Sequence, residues 1–143
     1  MTARRTRGSS ERGQALVEFS FAIMIFLTIL IAMLDLGRGV FMYNGVSQAA
    51  REIARETSVH SGAGLLGASP EAQSALSVQR ALVPGLDTPT FECVDIAGAV
   101  QFDTCLPGDW VRVTATTEFF PVLPFLTAFG PFVFTSVSSA EIQ

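Results

Sequence analysis

The feature that most limits what this chain can fold into is a run of sixteen residues without a charge, FSFAIMIFLTILIAML, at 19–34. Extended upstream through Ala15, Leu16 and Val17, it becomes an apolar stretch of about twenty residues, enough as helix to cross about 30 Å of hydrocarbon, and it is broken only by Glu18. Such a stretch predicts one membrane-crossing helix. Of the 143 residues, what remains suffices for one modest globular part. The composition agrees: 49% of residues are hydrophobic and only 15% are charged, a low charge content for a soluble domain.

Charge is distributed unevenly. All nine basic residues are Arg, and Arg4, Arg5, Arg7 and Arg12 precede the apolar stretch with only Glu11 against them. The chain after residue 13 carries five Arg and twelve acids, a net charge of −7. This remainder is unsuited to a phosphate backbone, so nucleic-acid binding is not expected. The basic flank orients residues 1–13 toward the cytoplasm and everything beyond about residue 35 to the outside. A cleaved secretory signal has a shorter apolar region followed by a small-x-small site, and neither is present. A plain signal anchor explains the length and charge asymmetry but gives no reason for Glu18.

An ionised carboxylate in hydrocarbon costs a few kcal/mol unless it meets a partner. Nothing basic lies within two helical turns after Glu18, and Arg12 is off its face, so the partner is expected on another molecule. Cleavage after Gly13 gives Gln14 a free α-ammonium, which in a bundle of parallel, staggered copies can meet a neighbour's Glu18. In low dielectric that attraction offsets much of the desolvation cost, and it selects the register.

The basic leader, Gly13, and then QALVEF, with its acid five residues after the glycine and Phe19 next, resemble the class III signal peptide of type IV pilins and pseudopilins. The longer stretch RGQALVEFSFAIMIFLTILIAMLDLGRGVFMYNGVSQAAREIARE, about 12–56, resembles the TadE-like family of minor pilins and pseudopilins of the tight-adherence (Flp) pilus. The resemblance implies processing between Gly13 and Gln14 by a prepilin peptidase and roles for Glu18 and Phe19 in assembly. It also implies other pilin subunits as partners, and, indirectly, an assembly platform protein and its ATPase. One departure is Met24, where the family often has proline; a kink attributed to that proline is not expected here.

Beyond the span, Phe41, Gly45, Gln48, Ala49, Glu52, Ile53 and Glu56 recur at spacings of three and four, so the helix is expected to continue to about residue 58. Asp35 and Arg38 are placed to pair, and Phe41 and Tyr43 suit the outer headgroup zone. Gly37, Gly39 and Gly45 either admit another backbone or simply loosen the helix. Arg51 and Arg55 alternating with Glu52 and Glu56 read as a solvated face, with contact to neighbouring subunits as the alternative. The glycine-rich 60–69 reads as a loop, carrying His60 as an ordinary loop residue. Ser69 as N-cap and Pro70 open a helix to about Val83, closed by 84–89.

WVRVTATTEF, 110–119, alternates as a strand with Val111, Val113, Ala115, Thr117 and Phe119 on one face, and 131–141 repeats the pattern. The apolar link between them holds three prolines and a glycine, which oppose a second membrane helix; it reads as a connection packed on the head or on a neighbour. Cys93 and Cys105 lie in the part placed outside, where a disulfide is the natural reading and two buried thiols the alternative. Glu92, Asp95, Asp103 and Asp109 surround that loop as a solvated rim, or less simply as calcium ligands, although the alternating spacing of a calcium loop is missing.

With one His, no Lys and no metal or phosphate-loop spacing, no catalytic site, metal or cofactor is expected. The sequence therefore predicts an α+β protein in three parts: a leader at 1–13, a transmembrane and extended helix at 14–58, and a small extracytoplasmic head at 59–143. The head is expected to hold a short helix and a few antiparallel strands. The function implied by the resemblance is that of a minor pilin or pseudopilin in the cytoplasmic membrane or in an extracellular pilus. A single-pass anchored binding module that does not polymerise is the alternative.

Overall fold

The computed structural model describes residues 8–60, 66–101, 105–128 and 130–143. The protein is α+β: helix α1 (Gly8–Val59), helix α2 (Pro70–Leu82), strands β1 (Thr90–Val94), β2 (Val100–Gln101) and β3 (Trp110–Phe119), the single-turn helix α3 (Pro124–Thr127) and strand β4 (Phe132–Glu141). The basic residues Arg4, Arg5 and Arg7 lie outside the described residues, as do 61–65 of the predicted loop and Asp103. α1 is one uninterrupted helix that begins ahead of Gly13 and passes through Met24.

The antiparallel sheet has the order β2-β1-β3-β4. β3 and β4 pair over their full length, from Trp110 opposite Glu141 to Phe119 opposite Phe132. Both strands pack on α1, and the sheet lies along the helix. At one end the Phe119 ring stands 3.8 Å from where a Cβ on Gly39 would be; at the other the Gln143 N–H donates to the Ser58 carbonyl at 3.5 Å. Nineteen residues of helix rise about 29 Å and ten of strand about 33 Å, so the two elements match in length.

The buried face of α1 is Met42, Val46, Ala49, Ala50, Ile53, Ala54 and Thr57. Spacings of three and four give a helical stripe; of the residues whose recurrence predicted the helix, Ala49 and Ile53 fall on it, while Phe41 and Gln48 are exposed and Glu52 and Glu56 half-buried. The adjacent small residues Ala49 and Ala50 let the sheet approach, and the core closes over them with Leu76 of α2, Val83, Leu86, and Val111, Val113 and Ala115 of β3. The inward face of β3 is the predicted one. On its other face Arg112 pairs across the strands with Glu92 at 3.5 Å.

α2 starts as its sequence dictates: the Ser69 hydroxyl accepts from the Ala72 N–H at 3.2 Å, with proline in the first turn. The turn before it depends on Gly67, at φ +74°, where a Cβ would fall 2.4 Å from the Phe91 ring. α2 leads into 84–89, which is tied to β3: the Thr117 hydroxyl donates to the Pro84 carbonyl and the Asp87 N–H to the Thr116 carbonyl, both at 2.9 Å.

Candidate functional site

From Gly13 to Leu34, α1 is exposed along every face except at half-buried Ala32. Among the described residues it is the one helix long and apolar enough to cross a membrane. Its two hydroxyls are satisfied within the helix, Ser20 donating to the Leu16 carbonyl at 2.7 Å and Thr28 to the Met24 carbonyl at 2.8 Å. Neither competes for an outside partner, as a lipid-facing helix requires. Gly13 and Gln14 are exposed and helical, and an added Cβ on Gly13 would meet no atom within 4 Å. Glu18 and Phe19 are exposed as well. Among the described side chains, which in α1 begin at Gly13, no cation stands within ion-pair distance of Glu18.

The next acid along this helix after Glu18, Asp35, is almost wholly buried. One carboxylate oxygen accepts from Arg38 Nη1 at 3.0 Å. The other accepts from the Val122 and Leu123 N–H groups at 2.7 and 3.1 Å. The pair with Arg38 is the one expected from the spacing; the two backbone donors are not. They belong to the link between β3 and β4, which is thereby fixed to α1, as a connection packed on its own head. A sequence signal for this contact exists in FPVLP: Pro121 and Pro124 supply no donor, and Val122 and Leu123 between them follow the last paired residue of β3, so their N–H groups need an acceptor from outside the ladder. Arg38, held by Asp35, also lies 5.5 Å from the centre of the Phe119 ring.

Between the link, the near end of the sheet and α1 runs an apolar groove of about 570 Å³, bounded by Ala32, Leu36, Val40, Leu123, Leu126 and Phe132. At its far end Phe134 stacks on Phe119 at 6.0 Å and meets Tyr43 edge-on at 6.1 Å. Of the three glycines of this region, Gly39 faces Phe119 and Gly45 faces Val83, where a Cβ would stand 3.0 Å from a methyl group; Gly37 faces open space. Of the three, Gly45 is the one where close approach within the molecule leaves little room for a side chain.

At the opposite end of the sheet Cys93 and Cys105 form a disulfide, with Cα atoms 5.6 Å apart. A loop this short is worth roughly 3 kcal/mol in the chain-entropy account. β1 and β2, not foreseen individually, make the hairpin beside it. Its turn signals were Asp95, whose carboxylate accepts from the Ala99 N–H at 2.8 Å, and Gly98. The acids here are not a uniform solvated rim. Asp109 is buried and accepts from the Leu106 N–H at 2.8 Å, Asp95 caps its own turn, and Glu92 pairs with Arg112.

On the outer turns of α1, Arg55 bridges Glu52 at 2.9 Å and also contacts Glu56. Its hydrogen bond holds the Glu52 carboxyl below the usual range, and Glu52 in turn raises Arg55. His60 is more than a loop residue: its N–H closes the last turn on the Glu56 carbonyl at 3.1 Å, and its ring Nδ1 lies 3.4 Å from the Glu56 carboxylate. The i,i+4 spacing of Glu56 and His60 was the available signal.

No curated protein and no solved structure matches this chain. A model of the family described as TadE-like protein matches residues 13–55, which takes in the bare half of α1, Glu18, Asp35 and most of the half that carries the head. Residues 13–55 are thus similar to the TadE-like family, the family that this stretch resembles by its sequence.

Proposed function

We propose that this chain is a minor pilin or pseudopilin of a Tad-type pilus or a related secretion apparatus, held in the cytoplasmic membrane by residues 13–34 with the head outside. The observation that supports this reading most is Glu18, an acid without a cation among the described side chains, set in an exposed apolar helix within the TadE-like match. A carboxylate so placed is stable in lipid only if another molecule neutralises it. A prepilin peptidase acting after Gly13 generates that neutralising group, the α-ammonium of Gln14. Packing of the bare half against neighbouring subunits then replaces lipid contact as the assembly machinery, a platform protein driven by an ATPase, extracts the subunit. On this reading the head works by packing and not by catalysis.

N-terminal analysis of membrane-extracted protein tests the processing step. A chain starting at Gln14 supports the proposal, and a retained arginine-rich leader favours a single-pass anchored binding module instead. Glu18→Ala is expected to leave membrane insertion intact and to reduce incorporation into pili by tenfold or more, the order of effect of losing a buried charge pair. Normal incorporation of this variant would remove the assigned role of Glu18.

A further inference from the structure

We propose that the link between β3 and β4 is a second membrane contact: residues 120–123 and 130–133, together with the groove above Ala32, dock on the outer leaflet of the bilayer that α1 crosses. The inference rests on the reading of residues 13–34 as a membrane span.

Depth is the first argument. About twenty helical residues fill the hydrocarbon, which puts the outer boundary at residues 34–35, and Asp35 is the residue that binds the link through Val122 and Leu123. The groove reaches one helical turn deeper, to Ala32, so the link lies at the boundary and not above it. Continuity is the second argument. Ala32 and Leu36 line the groove and also continue the lipid-facing surface of α1, so the apolar surface turns without a break from the helix onto the link. Chemistry is the third. Between Glu118 and Glu141 the sequence contains no charged residue, and Phe120, Val122, Phe132 and Val133 are exposed at this end of the head. Of the charges at this level, Asp35 and Arg38 are paired with each other and the second oxygen of Asp35 is occupied by two backbone donors, while Glu118, opposite Val133, and Asp87 line a separate cleft with Arg38 and Phe120, where headgroups and water can solvate them. An interface that admits apolar side chains to a depth of about 5–10 Å suits this arrangement, whereas water leaves a large apolar patch unpartnered. The consequence is that the head does not swing freely on its anchor: the sheet is held upright on the membrane, with the disulfide at its far end.

The test uses the full chain with Trp110→Phe, carrying single tryptophans at Phe26, Phe120, Val122 or Ser139, in vesicles of phosphatidylcholine and phosphatidylglycerol. The lipids are brominated either near the glycerol or near the chain end. Emission from Phe120→Trp and Val122→Trp is expected to fall about twofold with the shallow bromine label, as for side chains seated at the headgroup boundary. Phe26→Trp should respond to the deep label, and Ser139→Trp to neither. If Phe26→Trp is quenched while the two link positions are not, the outer-leaflet contact is wrong and the span stands. Link positions shielded from both bromolipid and aqueous iodide would mean that a second copy covers the groove, which also overturns the proposal. If Phe26→Trp is unquenched, the membrane reading fails and this inference falls with it.

Discussion

The two halves of α1 are one helix with two surfaces. From Gly13 to Leu34 scarcely a residue loses exposure, whereas from Asp35 to Val59 the same helix buries Val46, Ala49, Ala50 and Ile53 completely. Mean apolarity does not explain the division, because the bare half is the more hydrophobic of the two. What differs is arrangement. The bare half is apolar on all sides, as a helix in lipid is, and the clad half is apolar on one stripe built from small residues, as a helix under a sheet is. The acids mark the same contrast. Asp35 at the junction has each oxygen occupied from within the molecule, while Glu18 finds no cation among the described side chains.

The largest expected effect on stability separates the halves directly. Ile53→Ala removes a fully buried side chain and is expected to cost about 3 kcal/mol of head stability; Ile29→Ala, in the bare half, should leave the denaturation midpoint of the head unchanged. A midpoint that moved equally for both would break the division. Next comes the junction. Asp35→Ala strands the Val122 and Leu123 N–H groups as well as Arg38, and a loss of about 2–3 kcal/mol is expected, with faster amide exchange at Val122 and Leu123; unchanged exchange there would mean that the link is held by other contacts.

The glycines sharpen the comparison on a smaller scale. Gly37→Ala meets open space and should stabilise α1 by up to about 1 kcal/mol through helix propensity. Gly45→Ala gains the same propensity but pushes on Val83 at 3.0 Å, so its net effect should be smaller or opposite in sign. Thermal unfolding of the two variants side by side decides this. The smallest effect is assigned to Glu52→Gln. The folded-state pKa of Glu52 is lowered by Arg55, so the pair stabilises above the ordinary value of about 4.5, and that contribution is lost as pH falls through the lowered one. Any difference in melting temperature between Glu52→Gln and the native chain should therefore be confined to the higher pH range, and small because the pair is exposed and screened by solvent. A difference that grew on acidification would contradict the sign.

Much of this architecture was legible in advance, where one element's pattern sufficed. β3 was readable because its period of two is unbroken over ten residues, and α2 because Ser69 and Pro70 mark its start. The bridge between Cys93 and Cys105 followed from two cysteines placed outside the membrane. The hairpin of β1 and β2 was not read, since its strands are short and their apolar residues do not alternate. The buried stripe of α1 was not readable in full, because alanines 49, 50 and 54 carry little hydrophobic signal and matter through how close they let β3 come. At the candidate site, Glu18 stood out from sequence alone, while FPVLP marks the Val122 and Leu123 N–H groups as needing an acceptor but nothing local names Asp35, almost ninety positions away, as that acceptor.

What the sequence determined by itself is the existence of a long helix, the apolar stretch within it, the cost attached to an acid in that stretch, and the strands whose side chains alternate; each depends on neighbours along the chain. Only the tertiary structure decided where the helix stops being bare, which of its faces the sheet covers, and that Asp35 holds the link at that junction. Those are contacts between distant segments, fixed by whether small residues allow close approach and by which stranded N–H groups find an acceptor, and neither condition can be evaluated until the segments are brought together.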